Sequence, residues 1–381
     1  MKTLANFFKI SVLLLCASLI SGSSNKQNSI GFWQVLHAKA NVIDSYWQFP
    51  RYFADHILRL PPSALARLAR NKVAHAQYGY GLSLLSNKQT ETAKLFWQAS
   101  LSKISLVQQK KLANMLLTQH RWQDLALLKR KNKLPKGDAF YHLQLQQQAP
   151  LETLNQSFMN KLGFLVASEQ IEIQAQCIFN VLMLSDHRDG LFRLNRFRNK
   201  YAQQPEPNNN TFCFSKPVYV GNAIVCNSTK TKFAQCDWKK SLLKTRLPKG
   251  FDFVIMMPKQ GTANVRNGLM HINSRASYAV FLHELMHFNG FEDEYALPAK
   301  KQAWLCQLEG LVAPNLFIAH HKEAPKGWHK SKSCQQGGVA YKPSSQWSIM
   351  QYQQVALSEQ YRALWQTHIE QHADLFPRFN Y

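Results

Sequence analysis

Apolar residues are laid out in two textures along this chain of 381 residues. From about 30 to 160 they recur every three or four positions among many Gln, Lys and Leu, which predicts one helix after another. The clearest stretch is AHAQYGYGLSLLSNKQTETAKLFWQASL, Ala74 to Leu101. Small residues (Ala76, Gly79, Gly81) alternate with Tyr78, Tyr80, Leu82 and Leu85; a polar turn follows, then Ala93, Phe96, Trp97 and Ala99. This predicts a helical hairpin whose small residues let the two backbones approach while aromatic rings fill the space between them. A weaker echo, LANMLLTQHRWQDLALL, runs from Leu112 to Leu128, about one repeat length later.

Beyond about 160 the pattern changes. CIFNVLMLSD (Cys177 to Asp186) is a short apolar run ended by polar residues, as in a buried strand. Leu191, Leu194, Phe197 and Tyr201 then fall at helical spacing within Gly190 to Gln203, and QPEPNNN breaks the chain. KPVYVGNAIVCN, FDFVIMMP and GLMHIN (Gly268 to Asn273) read as further strands. A helix follows, capped by Ser274 or Ser277. The expected fold class is therefore α+β: an all-α domain over 24–160, then an α/β domain over 161–381 with a mixed, twisted sheet and a helix packed on it. The tryptophans, among them Trp47, Trp97 and Trp122, are expected in the core.

Residues 1–23 have a different character. Lys2 and Lys9 flank Phe7 and Phe8, an apolar run extends from Ile10 to Ile20, and small residues follow, with Ser21 and Ser23 at suitable cleavage positions. This is the layout of an export signal, and the run is short for a membrane span. Leu15 stands before Cys16, where a lipoprotein signal needs a small residue. Export makes the six remaining cysteines candidates for disulfides. Cys306 is expected to pair with Cys334, and two of Cys213, Cys226 and Cys236 with each other. No Cys-x-x-Cys occurs to suggest a thiolate metal site.

Charge narrows the partners. Lys and Arg number 46 against 22 acids, a formal net charge of +24. The basic residues are scattered, and no zinc-finger spacing, RNA-recognition motif or basic-zipper region accompanies them. Specific nucleic-acid binding is not expected; acidic proteins or an anionic cell envelope suit such a surface.

The densest chemistry lies in FLHELMHFNGFEDEY, Phe281 to Tyr295. Residues four apart share a helix face, so His283 and His287 can aim two imidazoles at one metal ion. Glu284 lies beside that point, where a carboxylate can take a proton from an activated water. Gly290 can end the helix in a left-handed conformation and turn the chain back. Asp293 can then supply a third ligand, with Glu292 and Glu294 as rivals.

These residues, together with SIMQY at Ser348 to Tyr352, resemble the metzincin clan of zinc peptidases, in its minority with aspartate as third ligand, such as the snapalysin-like or IgA-peptidase-like groups. The resemblance spans roughly 177–355. It implies a Zn2+ cofactor held by His283, His287 and Asp293, Glu284 as general base, and Met350 in a turn beneath the metal. It also implies Tyr352 as a ligand that swings away or as a donor to the oxyanion. The N-terminal stretch is similar, over two units, to tetratricopeptide or Sel1-like repeats, which bind protein partners.

The expected function is an exported zinc metallopeptidase acting on protein or peptide, with an edge strand near Gly268 to Asn273 holding extended substrate. The rivals are a helical-repeat binding protein of the envelope whose zinc is structural, closed by a fourth ligand such as His329, and an amidase of cell-wall peptide. His271 is expected to face outward, and His320, His321 and His329 to be solvated loop residues. Asp186 and His187 have no nucleophilic serine partner visible in the sequence.

Overall fold

A computed structural model describes residues 41–167, 171–227, 229, 232–237 and 249–380. The export-signal reading, with Cys16, Ser21 and Ser23, lies outside them. The described residues pack as two compact units, one up to Phe140 and one from Tyr141.

The first unit is helical among its described residues: α1 (Val42–Gln48), α2 (Pro50–His56), α3 (Pro62–Arg70), α4 (Ala74–Ser86), α5 (Thr90–Ser100), α6 (Leu106–Thr118) and α7 (Trp122–Arg130). Helices α4 and α5 form the expected hairpin. A Cβ added at Gly81 would lie 3.1 Å from the Trp97 backbone nitrogen, so the missing side chain lets the helices meet and leaves Trp97 fully buried. The next hairpin, α6 and α7, is tied back to the first: Tyr78 Oη donates to the Gln108 carbonyl (3.0 Å) and Gln119 Nε2 to the Leu85 carbonyl (2.8 Å). Trp47 departs from expectation. It is 71% exposed, because the short α1 turns it away from the Val42 and Ser45 face that packs inward.

The second unit is mixed α/β. It includes, from Tyr141 onward, helix α8 (Asp138–Gln146), and then α9 (Gln156–Leu162); Leu145, Phe158 and Met159 of these share a cluster with Val166, Leu191 and Tyr219. The packing boundary thus falls at 140, ahead of the change in texture near 160. A helix pattern shows that a face is buried but not which body buries it.

The main sheet contains β1 (Leu165–Val166), β2 (Phe179–Ser185), β3 (Phe212–Phe214), β4 (Val218–Tyr219), β7 (Phe253–Met257), β8 (Asn264–Arg266) and β9 (Leu269–His271), with α10 (Arg188–Gln203) after β2. Its order is β1-β4-β2-β7-β9-β8, with β3 pairing the start of β2. All pairings are parallel except β8 with β9. β2 and β7 are buried on both faces, which is why they read as unbroken apolar runs. One face carries α10, α11 (Tyr278–Phe288) and α13 (Glu359–His372), with Phe197, Phe281, Leu285 and Trp365 against Val181, Phe253 and Ile255. A small hairpin, β5 (Val225–Cys226) with β6 (Cys236–Asp237), is closed by a disulfide between those two cysteines.

The edge of the sheet is not the expected strand near Gly268 to Asn273. β9 is interior, hydrogen-bonded to β7 and β8, and the edge is β8. His271 is likewise corrected: it is 7% exposed, on the face opposite the helices, paired with Asn264, whose Nδ2 is held by the Ala234 carbonyl. Covering that face drives the His271 pKa down to about 4 by desolvation, so it is neutral.

A second sheet, unforeseen in the sequence, is antiparallel: β10 (Gly310–Ala313), β11 (Leu316–Ala319), β12 (His329–Lys330) and β13 (Val339–Lys342), in the order β10-β11-β13-β12. Helix α12 (Ala299–Leu305) precedes it, and the Cys306–Cys334 disulfide staples it. The third disulfide joins Cys177 and Cys213, so the expected pairings hold. No helix among the described residues is long and apolar enough to cross a membrane.

Candidate metal site

Helix α11 begins at Ser277, whose side chain accepts from the Val280 N–H (3.2 Å). It ends by the rule expected of Gly290. With φ at +77°, Gly290 donates to the His287 carbonyl (3.2 Å), and Phe291 donates to the Met286 carbonyl (3.3 Å). Met286 and Phe291 both enter the core, which fixes the direction in which the chain leaves.

This exit brings three groups together. His283 Nε2 and His287 Nε2 are 3.1 Å apart, and Asp293 Oδ1 is 3.2 Å from each. They form the one cluster of His, Cys, Asp and Glu, among the described residues, able to hold a metal ion. The hydrogen bonds show why. His283 Nδ1 lies 3.0 Å from the Ile349 carbonyl and His287 Nδ1 2.7 Å from the Phe291 carbonyl. A carbonyl only accepts, so each Nδ1 carries a hydrogen, and each neutral ring turns a lone pair on Nε2 inward. Two lone pairs and a carboxylate oxygen therefore face one point. A cation satisfies all three; without one, a proton must. His287 takes that part: burial lowers its pKa, but the hydrogen bond and charge of Asp293 outweigh burial and raise it to about 9. Burial pushes Asp293 the other way, yet the two histidines hold it far below the usual carboxylate range.

Glu284 is buried beside this cluster. Desolvation raises its pKa, and the two histidines oppose the shift without cancelling it. Such a carboxylate is moved toward the range of a general base.

The three neighbouring acids have separate fates. Glu292 pairs with Lys301 and its backbone is bracketed by Asn315 (2.9 and 2.7 Å). Glu294 is wholly buried and accepts from Asn315 Nδ2 (2.8 Å), Tyr361 Oη (2.5 Å) and Ser348 Oγ, with Lys342 Nζ at 3.6 Å. Neither rival is free to act as a ligand, and Asp293 alone points at the histidines.

The turn at Ser348 to Tyr352 lies under the cluster. The Ile349 carbonyl holds His283, the Met350 carbonyl accepts from the Glu294 N–H (3.0 Å), and the Met350 side chain is fully buried in the helix-facing core. Tyr352 is not joined to the ligands by any hydrogen bond or ring contact among the described residues; its ring packs on Trp347 (4.8 Å between centroids). Tyr295, given no role from the sequence beyond its place in DEY, is bonded to Asp293, and burial and that carboxylate raise its phenol pKa well above the ordinary value. His320, His321 and His329 are exposed, but His329 lies in strand β12 and not in a loop, and it is not a member of the cluster. His187, which with Asp186 has no serine partner visible in the sequence, lies 3.0 Å from Ser274 Oγ through its Nε2.

No protein-family model matches the chain, and neither does any curated protein.

Proposed function

We propose that this protein is an exported zinc metallopeptidase. The observation that carries the reading is the convergence of two imidazole lone pairs and one carboxylate oxygen beside a buried Glu284. A tetrahedral ion with ligand bonds of about 2.0–2.1 Å spaces its donors about 3.3–3.4 Å apart. The three donors stand 3.1 to 3.2 Å apart, so zinc fits with little movement. Three protein ligands leave the fourth position to water or substrate, as in catalytic rather than structural sites.

A zinc ion held there supplies Lewis acidity at a scissile carbonyl and lowers the pKa of a water molecule. With the ion bound, Glu284 would serve as the general base toward that water and as the proton donor to the leaving amine. His283 and His287 are held in one tautomer by the Ile349 and Phe291 carbonyls, and Met350 closes the floor. Tyr295 and Tyr352 are the phenols available to the oxyanion. β8, Asn264–Arg266, which ends the sheet order among the described residues, suits an extended peptide bound by strand addition. The three disulfides accord with an oxidising compartment, and the net charge of +24 with acidic substrates or an anionic envelope. The stacked helical hairpins of the first unit offer a surface for a protein partner.

The test is metal analysis of the purified chain beside His283→Ala, with cleavage of an unfolded protein substrate beside Glu284→Gln. One zinc per chain, lost in the first variant, and cleavage lost in the second with zinc kept, are expected. Undiminished cleavage by Glu284→Gln overturns the mechanism.

A further inference from the structure

The order of the parallel sheet reverses between β2 and β7. From β2 the chain passes through α10 to β3 and β4 on one side, then crosses to β7 on the other. In open α/β sheets the crevice at the carboxyl ends of the strands flanking such a reversal is the usual place for a ligand. Asp186 and His187 directly follow β2 there, Lys259 follows β7, and Ser274 follows β9.

Three of these side chains form a directed chain. Asp186 Oδ1 lies 2.7 Å from His187 Nδ1, and His187 Nε2 lies 3.0 Å from Ser274 Oγ. An ionised carboxylate only accepts, so Nδ1 carries the hydrogen and Nε2 presents its lone pair to the serine hydroxyl. Asp186 and His187 are 2% and 1% exposed, whereas Ser274 is half-buried at the rim. The second Asp186 oxygen accepts from Gln148 Nε2, and Lys259 Nζ donates to Gln148 Oε1 (3.2 Å), so the carboxylate is oriented from both sides. A Cβ on Gly190 would lie 2.8 Å from His187 Cε1, so the ring needs glycine beneath it. Ser274 is not occupied in capping α11, which is the work of Ser277. His283 lies six residues past that cap, about 9 Å along the helix axis, so the set is distinct from the metal site.

We infer that Ser274, His187 and Asp186 form a second hydrolytic site, independent of metal, with Ser274 as the nucleophile toward carboxylic esters. The arrangement of nucleophile, base and orienting acid is recognised by geometry and not by order in the chain. Ser274 Oγ bonds to the acyl carbon as its proton passes to His187 Nε2, and the departing alkoxide leaves as the alcohol with that proton. Water then gives a proton to His187 and its oxygen to the acyl carbon; the bond to Ser274 breaks, and Oγ recovers the proton as the acid leaves. Arg193 Nε, bonded to the Ser274 carbonyl (3.1 Å), and Lys259 place positive charge at the rim, which suits an ester with an anionic acyl part.

The test is labelling of the full chain by a fluorophosphonate probe, before and after removal of metal by chelation, followed by peptide mass mapping. A single adduct on Ser274 in both states is expected. It should vanish in Ser274→Ala and form roughly 10³- to 10⁴-fold more slowly in Asp186→Asn. Circular dichroism of each variant establishes that it is folded. A folded wild-type chain without an adduct on Ser274, or Asp186→Asn labelled at the wild-type rate, overturns the inference. It would leave the three residues as a tie between β2 and the loop before α11.

Discussion

Glu292, Asp293 and Glu294 are consecutive acids of one loop, and the structure assigns each a different consequence on removal. Glu294 is the sharpest case. Its carboxylate, with no exposure, receives three hydrogen bonds, from Asn315, Tyr361 and Ser348, and lies 3.6 Å from Lys342, itself 5% exposed. Glu294→Ala strands those donors and leaves a buried ammonium without its counter-charge. Each buried unsatisfied group costs about 1–3 kcal/mol, and breaking a buried ion pair from one side costs about 3–5 kcal/mol. These overlap, since the same oxygens serve both, so a total of about 3–5 kcal/mol is expected. For a unit of this size that lowers Tm by about 6–20 °C. Glu294→Gln keeps the shape and most acceptors and should cost less, about 1–3 kcal/mol. Glu292→Ala removes a partly exposed pair with Lys301 and should cost no more than about 1 kcal/mol. Asp293→Ala should abolish metal binding and, at pH below about 9, also remove the stability that its pairing with His287 gives the ion-free fold. The assay is thermal unfolding of all four chains with and without added zinc, with metal content measured on each. A Glu294→Ala chain melting within 2 °C of wild type would refute the reasoning, because no group could then depend on that carboxylate.

On the proposed reading, zinc would have to displace the proton that His287 holds at its raised pKa of about 9. Affinity measured by chelator competition should therefore climb about tenfold per pH unit from 6.5 toward 9 and then level. In the ion-free protein the sign is opposite: the raised pKa adds stability that is full below about 6.5 and is lost as pH rises through about 9, so chemical denaturation should show falling stability across that window. Gly81→Val should destabilise the chain by about 1–3 kcal/mol in urea, since its Cβ meets the Trp97 backbone and any helix-propensity gain is smaller. Replacing Cys306 and Cys334 by serine opens a link across 28 residues and should cost about 3–4 kcal/mol on the chain-entropy estimate, seen as a lower denaturation midpoint.

Short-range features of this protein are written in its sequence. The hairpin of α4 and α5, the apolar β2, the turn of α11 that aligns His283 with His287, and the stop at Gly290 all follow from spacings within a few residues. At that range the backbone geometry of helix and strand is fixed, so spacing translates directly into position. The pairing of Cys306 with Cys334 was legible for a similar reason, since few partners lay near. Other features needed segments far apart in the chain to be brought together. Asp293 is separated from its two acidic neighbours only because Asn315, Ser348 and Tyr361, from three later elements, claim Glu294. His271 is inside because residues near Ala234 cover its face, and β8 is the edge because β9 has neighbours on both sides. The serine facing His187 stands 87 positions away. A side chain's chemistry is set by its type, but its role is set by what desolvates it and bonds to it, and for these residues the packing of distant strands and loops decides both.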